Sequence, residues 1–189
     1  MRRMTALMFV LLFAAPGLRA QEGMEEYMKL MQPGPEHEWL EQLVGTWNMR
    51  VSMWESPGED PVLSDGVSEH RMILGDRFLE MKAEAGKDDL YTETLIIMGF
   101  DRRYEEFTFV GFDTWGTYYI TAKGSYDEEV RKWTLSGEDT DPVMGYDQKY
   151  TYHLTMLDDD TMKLEIIFID FPLVEEKEYK MLEIMYTRR

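Results

Sequence analysis

Three histidines, His37, His70 and His153, are the only imidazoles in a chain of 189 residues that contains no cysteine. Without cysteine there is no thiol nucleophile, no disulfide framework and no Cys-based zinc or iron–sulfur site. A serine nucleophile of the Gly-X-Ser-X-Gly kind is absent as well. No two histidines have metal-ligand spacing: His37-Glu38 begins like His-Glu-X-X-His, but position 41 is Glu41. His153 shares a face with Lys149, Thr151 and Thr155, opposite Tyr150, Tyr152, Leu154 and Met156, and is expected to meet solvent. His70 alternates with Ser68, Met72 and Leu74 on a face that can point inward. Haem ligation through His70 or His153 would need an accompanying motif, and none is present. The acidic stretch Asp139, Asp141, Gly145 and Asp147 fails as a calcium loop, because Val143 and Met144 stand where a ligand and the glycine are required. Met24, Met28 and Met31 fall on one helical face, where thioethers can bind Cu(I) but more simply form an apolar packing stripe. The sequence therefore points to no catalytic set, no cofactor and no metal site.

The elements that would position these residues come in two kinds. From Glu22 to Met31 apolar residues recur at helical spacing, and Pro33-Gly34-Pro35 ends that segment. Pro35 suits the first turn of a second helix, with Glu36 and Glu38 at its positive end, and Trp39, Leu40 and Leu43 lining one face as far as Val44. After Gly45 the period changes to two: Trp47, Met49, Val51 and Met53 alternate with Thr46, Asn48, Arg50 and Ser52. Further strands are predicted near Leu63–Leu74, Phe78–Ala85, Tyr91–Phe100, Tyr104–Phe112, Trp115–Lys123, Val130–Glu138, Tyr146–Leu157, Thr161–Asp170 and Glu176–Thr187.

About ten consecutive strands with short turns pair with their sequence neighbours, and a meander of that length closes to remove its free edges. The expectation is an all-β fold: an antiparallel up-and-down barrel of about ten strands in residues 45–189, preceded by a helical segment in 21–44. A β-sandwich would need longer crossovers, for which only 55–62 and 139–145 are candidates.

Residues 1–20 have a basic start (Arg2, Arg3), an apolar run from Leu7 to Ala15, a Pro16-Gly17 break and Ala20 before Gln21. This is the pattern of a secretory signal peptide cleaved near Ala20, which predicts a periplasmic or secreted protein with no transmembrane segment in the mature chain. The formal net charge is −17, and the leader takes three arginines with it. Such a surface repels phosphate backbones and anionic lipid, so nucleic acid is not an expected partner.

Pro33-Gly34-Pro35-Glu36-His37, Leu40, Leu43-Val44-Gly45-Thr46-Trp47, the run from Met72 to Leu79, and Glu183-Ile184-Met185-Tyr186-Thr187-Arg188 together resemble the family catalogued as domain of unknown function 1579. Gly99-Phe100-Asp101 with Tyr104, and Gly124-Ser125-Tyr126-Asp127, resemble its turn-flanking patterns. The resemblance implies a lipocalin-like (calycin) barrel, frequently exported, with no established activity and no catalytic residues to carry over. In lipocalins the tryptophan of Gly-X-Trp closes one end of the barrel, which makes Trp47 a structural plug.

Inward-facing Met49, Val51, Met53, Leu79, Met81, Trp133, Leu135, Tyr150, Tyr152 and Leu154 are the candidate pocket residues, a soft, aromatic-rich lining for a small apolar or amphipathic ligand. A barrel wider than eight strands leaves room for one. The alternatives are a structural or protein-interaction module of the cell envelope, whose partner the sequence does not name, a haem-binding barrel resembling nitrobindin, for which no motif is present, and an enzyme, for which no catalytic constellation is recognisable.

Overall fold

At Gly45 the chain passes from helical to alternating spacing, and there the sheet begins. A computed structural model describes residues 16–143 and 145–189. Ten strands follow one another: β1 (Gly45–Met53), β2 (Val62–Ile73), β3 (Phe78–Ala85), β4 (Thr92–Asp101), β5 (Glu106–Asp113), β6 (Ile120–Asp127), β7 (Lys132–Asp141), β8 (Tyr146–Met156), β9 (Thr161–Ile169) and β10 (Glu178–Arg188). Each pairs antiparallel with its sequence neighbour, and β1 pairs with β10, so the sheet is a closed barrel. Closure consumes both edge ladders, which is why so long a meander exposes no unpaired strand. The sandwich alternative falls because the loops at 54–61 and 142–145 join strands that lie side by side in the ladder.

One strand differs from expectation. The sixth, predicted over Trp115–Lys123, begins only at Ile120 and continues to Asp127. Asp113 accepts the Trp115 amide N–H and starts a turn, while the Trp115 indole N–H donates to Thr92 Oγ1, so the segment before Ile120 becomes a loop pinned to β4. The next turn moves correspondingly, because Asp127 accepts the amides of Glu129 and Val130.

The end where β1 starts is sealed. Helix α2 (Pro35–Glu41) opens with proline in its first turn, and the Gly34 amide donates to His37 Nδ1 at 3.1 Å. Leu40 and Leu43 are fully buried together with Trp47. The Leu43 carbonyl accepts the Trp47 indole N–H at 3.0 Å, which ties the helix exit to the first strand. Arg188 stands directly opposite Trp47 in the β1–β10 ladder, and its guanidinium lies 4.1 Å from the indole ring centre. From there it donates to the carbonyls of Val44 at 2.6 Å and Gln42 at 3.0 Å.

Gly45 makes that approach feasible. Its φ of +145° is strained for any residue with a side chain, and a Cβ there would sit 2.5 Å from Arg188 Nη1. Gly45→Ala is therefore expected to cost about 1–3 kcal/mol. Urea unfolding checks this, and an unchanged midpoint would contradict it.

The compact unit that holds the barrel runs from Pro33 to Arg189, so α2 belongs to it. The preceding unit carries helix α1 (Pro16–Leu30), which starts earlier than the spacing of its apolar residues predicts and on which Met24, Tyr27 and Met28 are exposed. Residues 1–15 of the expected leader, and Met144, lie outside the described residues. Among the described residues no helix is long and apolar enough to cross a membrane.

Candidate functional site

Strand alternation sends one residue in two toward the barrel axis, and their sizes divide the interior into halves. Near α2 the inward residues are large: Trp47, Leu79, Met98, Phe107, Trp133 and Met162 are essentially without solvent exposure. They pack as a dense floor. Toward the opposite end the inward positions carry Ser64, Ala83, Ala85, Thr94 and Gly111, which are too small to meet across a barrel of ten strands. The space they leave is a cavity of about 1170 Å³. It opens between the loops at 86–91, 114–119 and 142–145, where Leu90, Trp115, Tyr118 and Val143 line the mouth. Trp115 is 60% and Val143 89% exposed, so the mouth is in contact with solvent.

Of the residues expected to form the pocket, Met49, Val51, Met53, Met81, Tyr150 and Tyr152 line this cavity. Four do not. Leu79 and Trp133 belong to the packed floor, and Leu135 and Leu154 border a separate void of about 20 Å³ just above it. The period-two pattern identifies the inward face correctly in all ten, but depth along the axis depends on how the strands are staggered. Trp47 occupies the closed end.

Tyr150 reaches the wall because position 137 is glycine: a Cβ there would fall 2.4 Å from the Tyr150 ring. Its hydroxyl donates to the Thr121 carbonyl at 3.0 Å. Tyr152 and Tyr186 are 5% and 6% exposed and line the same cavity, and among the described residues neither hydroxyl has a hydrogen-bond partner. Burial raises both phenols well above the ordinary tyrosine range, so they are neutral donors and acceptors at physiological pH.

His70 lies at the bottom of the cavity, 4% exposed. Its Nδ1 is 3.0 Å from the Leu43 carbonyl, which can only accept, so Nδ1 carries the proton and Nε2 accepts the Ser68 hydroxyl at 2.7 Å. Burial, with the Leu43 carbonyl opposing and the nearby Arg188 charge assisting, lowers its pKa to about 4. Both ring nitrogens are thus engaged, which leaves neither to ligate haem iron. His153 is not part of the lining and sits beside Thr134 Oγ1 at 3.3 Å on the outer face.

Ser68 and His70 have the residue types of a nucleophile and base, at positions i and i+2 of one strand face. That alternation is visible in the sequence, yet only the fold brings the two polar atoms together. The arrangement has poor prospects as catalysis. Ser68 is 1% exposed, its hydroxyl also lies 3.1 Å from the Lys82 carbonyl, and β2 is paired on both sides, so its amides serve the ladders and not an oxyanion. A base with a conjugate acid near 4 is also weak at neutral pH. Among the described residues no group of three or more His, Asp or Glu side chains is placed to hold a metal ion.

The lining also contains charged residues that the sequence does not mark as inward. Asp113, Asp139 and Asp141 continue the inward series of β5 and β7 at the mouth, with Glu138 beside them, and no Lys or Arg joins them among the described lining residues. The negative charge of Asp113 reaches the Tyr152 phenol and that of Asp139 reaches Tyr150, further opposing the ionisation of each.

These features define an all-β class: a closed antiparallel barrel with one end stoppered and a roomy chamber open at the other. The chain belongs to the family described as protein of unknown function (DUF1579), whose model matches residues 32–188. Among solved structures, a protein of unknown function from the DUF3598 family of Nostoc punctiforme is similar at 9% identity and a TM-score of 0.25, covering 83% of this chain and 100% of that one. No curated protein matches the chain.

Proposed function

We propose that this chain is an exported, non-enzymatic carrier of the lipocalin-like (calycin) type, which holds a small apolar or amphipathic molecule inside its barrel. The observation that carries this is the chamber of about 1170 Å³, well beyond the roughly 300 Å³ at which a drug-sized guest begins to fit. Its wall combines the flexible thioethers of Met49, Met53 and Met81 with tyrosine hydroxyls that can orient a polar group. Trp47 supports the lipocalin affinity, since it closes the barrel as the Gly-X-Trp tryptophan of lipocalins does. Export rests on the leader pattern of residues 1–20.

Binding is tested with N-phenyl-1-naphthylamine, a neutral dye that brightens in apolar surroundings. Ala83 lines the chamber, and Ala83→Trp directs an indole into it. The variant is expected to bind the dye at least about tenfold more weakly, a loss of about 1.4 kcal/mol, with little change in its unfolding midpoint. Equal binding by both proteins would remove the carrier function. A fluorophosphonate probe is expected to leave Ser68 unmodified, and stoichiometric labelling there would overturn the non-enzymatic part of the proposal.

A further inference from the structure

We infer that the guest is a cationic amphiphile, with its hydrocarbon body in the chamber and a protonated or quaternary amine at the acidic, aromatic mouth. This rests on the carrier function proposed above and specifies its ligand.

The two ends of the barrel differ in how their charges are balanced. The five loops at the open end (54–61, 86–91, 114–119, 142–145 and 170–177) contain eight carboxylates against two lysines, Lys87 and Lys177, neither of which lines the cavity. At the closed end seven turn carboxylates and Glu36, Glu38 and Glu41 of α2 stand among six arginines, Arg77, Arg102, Arg103, Arg131, Arg188 and Arg189, so the acidic excess there is smaller and is interrupted by cations. A cation approaching the barrel is drawn to the mouth and an anion is turned away from it, and low-dielectric walls strengthen that field.

Inside the mouth the same sign persists. Asp113, Asp139 and Asp141 face the lumen, and a fatty acid or lipid phosphate entering head-first or tail-first would meet no described lysine or arginine in the lining to pair with. The carboxylates are not gathered closely enough to hold a metal ion, so they form a diffuse negative collar suited to a large organic cation. Trp115, Tyr118 and Tyr119 stand among them, and aromatic faces attract ammonium groups directly.

Deeper in the chamber, polar atoms await a partner. The hydroxyls of Tyr152 and Tyr186, on side chains more than nine-tenths buried, have no hydrogen bond among the described residues, and nearer the mouth, opposite Asp139, Gln148 Oε1 is buried and unsatisfied. Such groups are costly when left unpaired. They suit a guest that carries a neutral hydrogen-bonding function along its length.

Three probes with the same tail separate the contributions: dodecyltrimethylammonium, dodecanoate and 1-dodecanol, each titrated calorimetrically below its micelle concentration or solubility limit into the full chain. The ammonium is expected to bind at least about tenfold more tightly than dodecanoate at low ionic strength, with dodecanol between them. The ratio should shrink in high salt and fall severalfold in the Asp113→Asn/Asp139→Asn double variant. The salt series on the unaltered chain provides the same readout should the double variant fold poorly. Equal binding of all three probes, or a preference for dodecanoate, would overturn the cationic head group while leaving the carrier function standing. If dodecanol and the ammonium both fail to bind, the carrier function falls and the inference falls with it.

Discussion

Trp47→Ala is expected to destabilise the barrel by about 3–5 kcal/mol, the range for removing a fully buried aromatic side chain. Four things are lost at once: the packing of the indole on the floor beside Leu40 and Leu43, its hydrogen bond to the Leu43 carbonyl, the stacked Arg188 guanidinium, and part of the support for His70, whose ring centre lies 6.1 Å away. Against a typical domain stability of about 5–15 kcal/mol, the variant would be partly unfolded at modest denaturant. Trp47→Phe keeps most of the packing and is expected to cost less, chiefly by leaving one acceptor lone pair unused. Trp115→Ala, at the exposed mouth, is expected to change stability by under about 0.5 kcal/mol. Equilibrium urea unfolding ranks the three, and a Trp47→Ala loss no larger than that of Trp115→Ala would mean that the floor is not held by the tryptophan.

Acid is expected to weaken the fold through His70. Its pKa is about 4 in the folded barrel and near 6.5 when exposed, so between those values the unfolded chain binds a proton that the folded one refuses. Stability from this group is complete above pH 6.5, declines as pH falls, and is fully lost below about 4. The total is about 3 kcal/mol, since each tenfold reduction in proton affinity on folding is worth about 1.4 kcal/mol. Burial also lowers His37 and His153, which contribute with the same sign, so His70 is isolated by difference. The unfolding free energy of the unaltered chain minus that of His70→Gln is expected to fall across pH 6.5 to 4 and to be flat above 7. A difference independent of pH would show that the His70 ring is solvated.

The barrel was legible in the sequence because burying one face of a strand imposes a period of two, and that period persists from Trp47 to Tyr186 with few interruptions. Of the sealed end the sequence offered only Trp47, through its resemblance to the lipocalin tryptophan. The family-like residues at 33–47, 72–79, 99–104, 124–127 and in the last strand include those that build the closed end, such as His37 capping α2, Gly45 beside Arg188, and Gly99 packed against the Phe78 ring. The chamber was only partly legible. Leu79, Trp133, Leu135 and Leu154 share a face with Met49 and Met81, and what separates floor from wall is axial height, which strand stagger sets and periodicity does not. At the mouth the pattern misled: Asp113 and Asp139 occupy inward positions, but carboxylates there look like loop residues. The Ser68–His70 contact was invisible because a two-residue interval on a strand is too common to carry meaning alone.

The stoppered floor also constrains traffic. With α2, Trp47 and Arg188 obstructing the far side, whatever occupies the interior must leave by the doorway through which it came. For the proposed carrier, exchange between two guests would then proceed by departure followed by arrival, and its rate would approach a ceiling set by the departing molecule however much competitor is supplied.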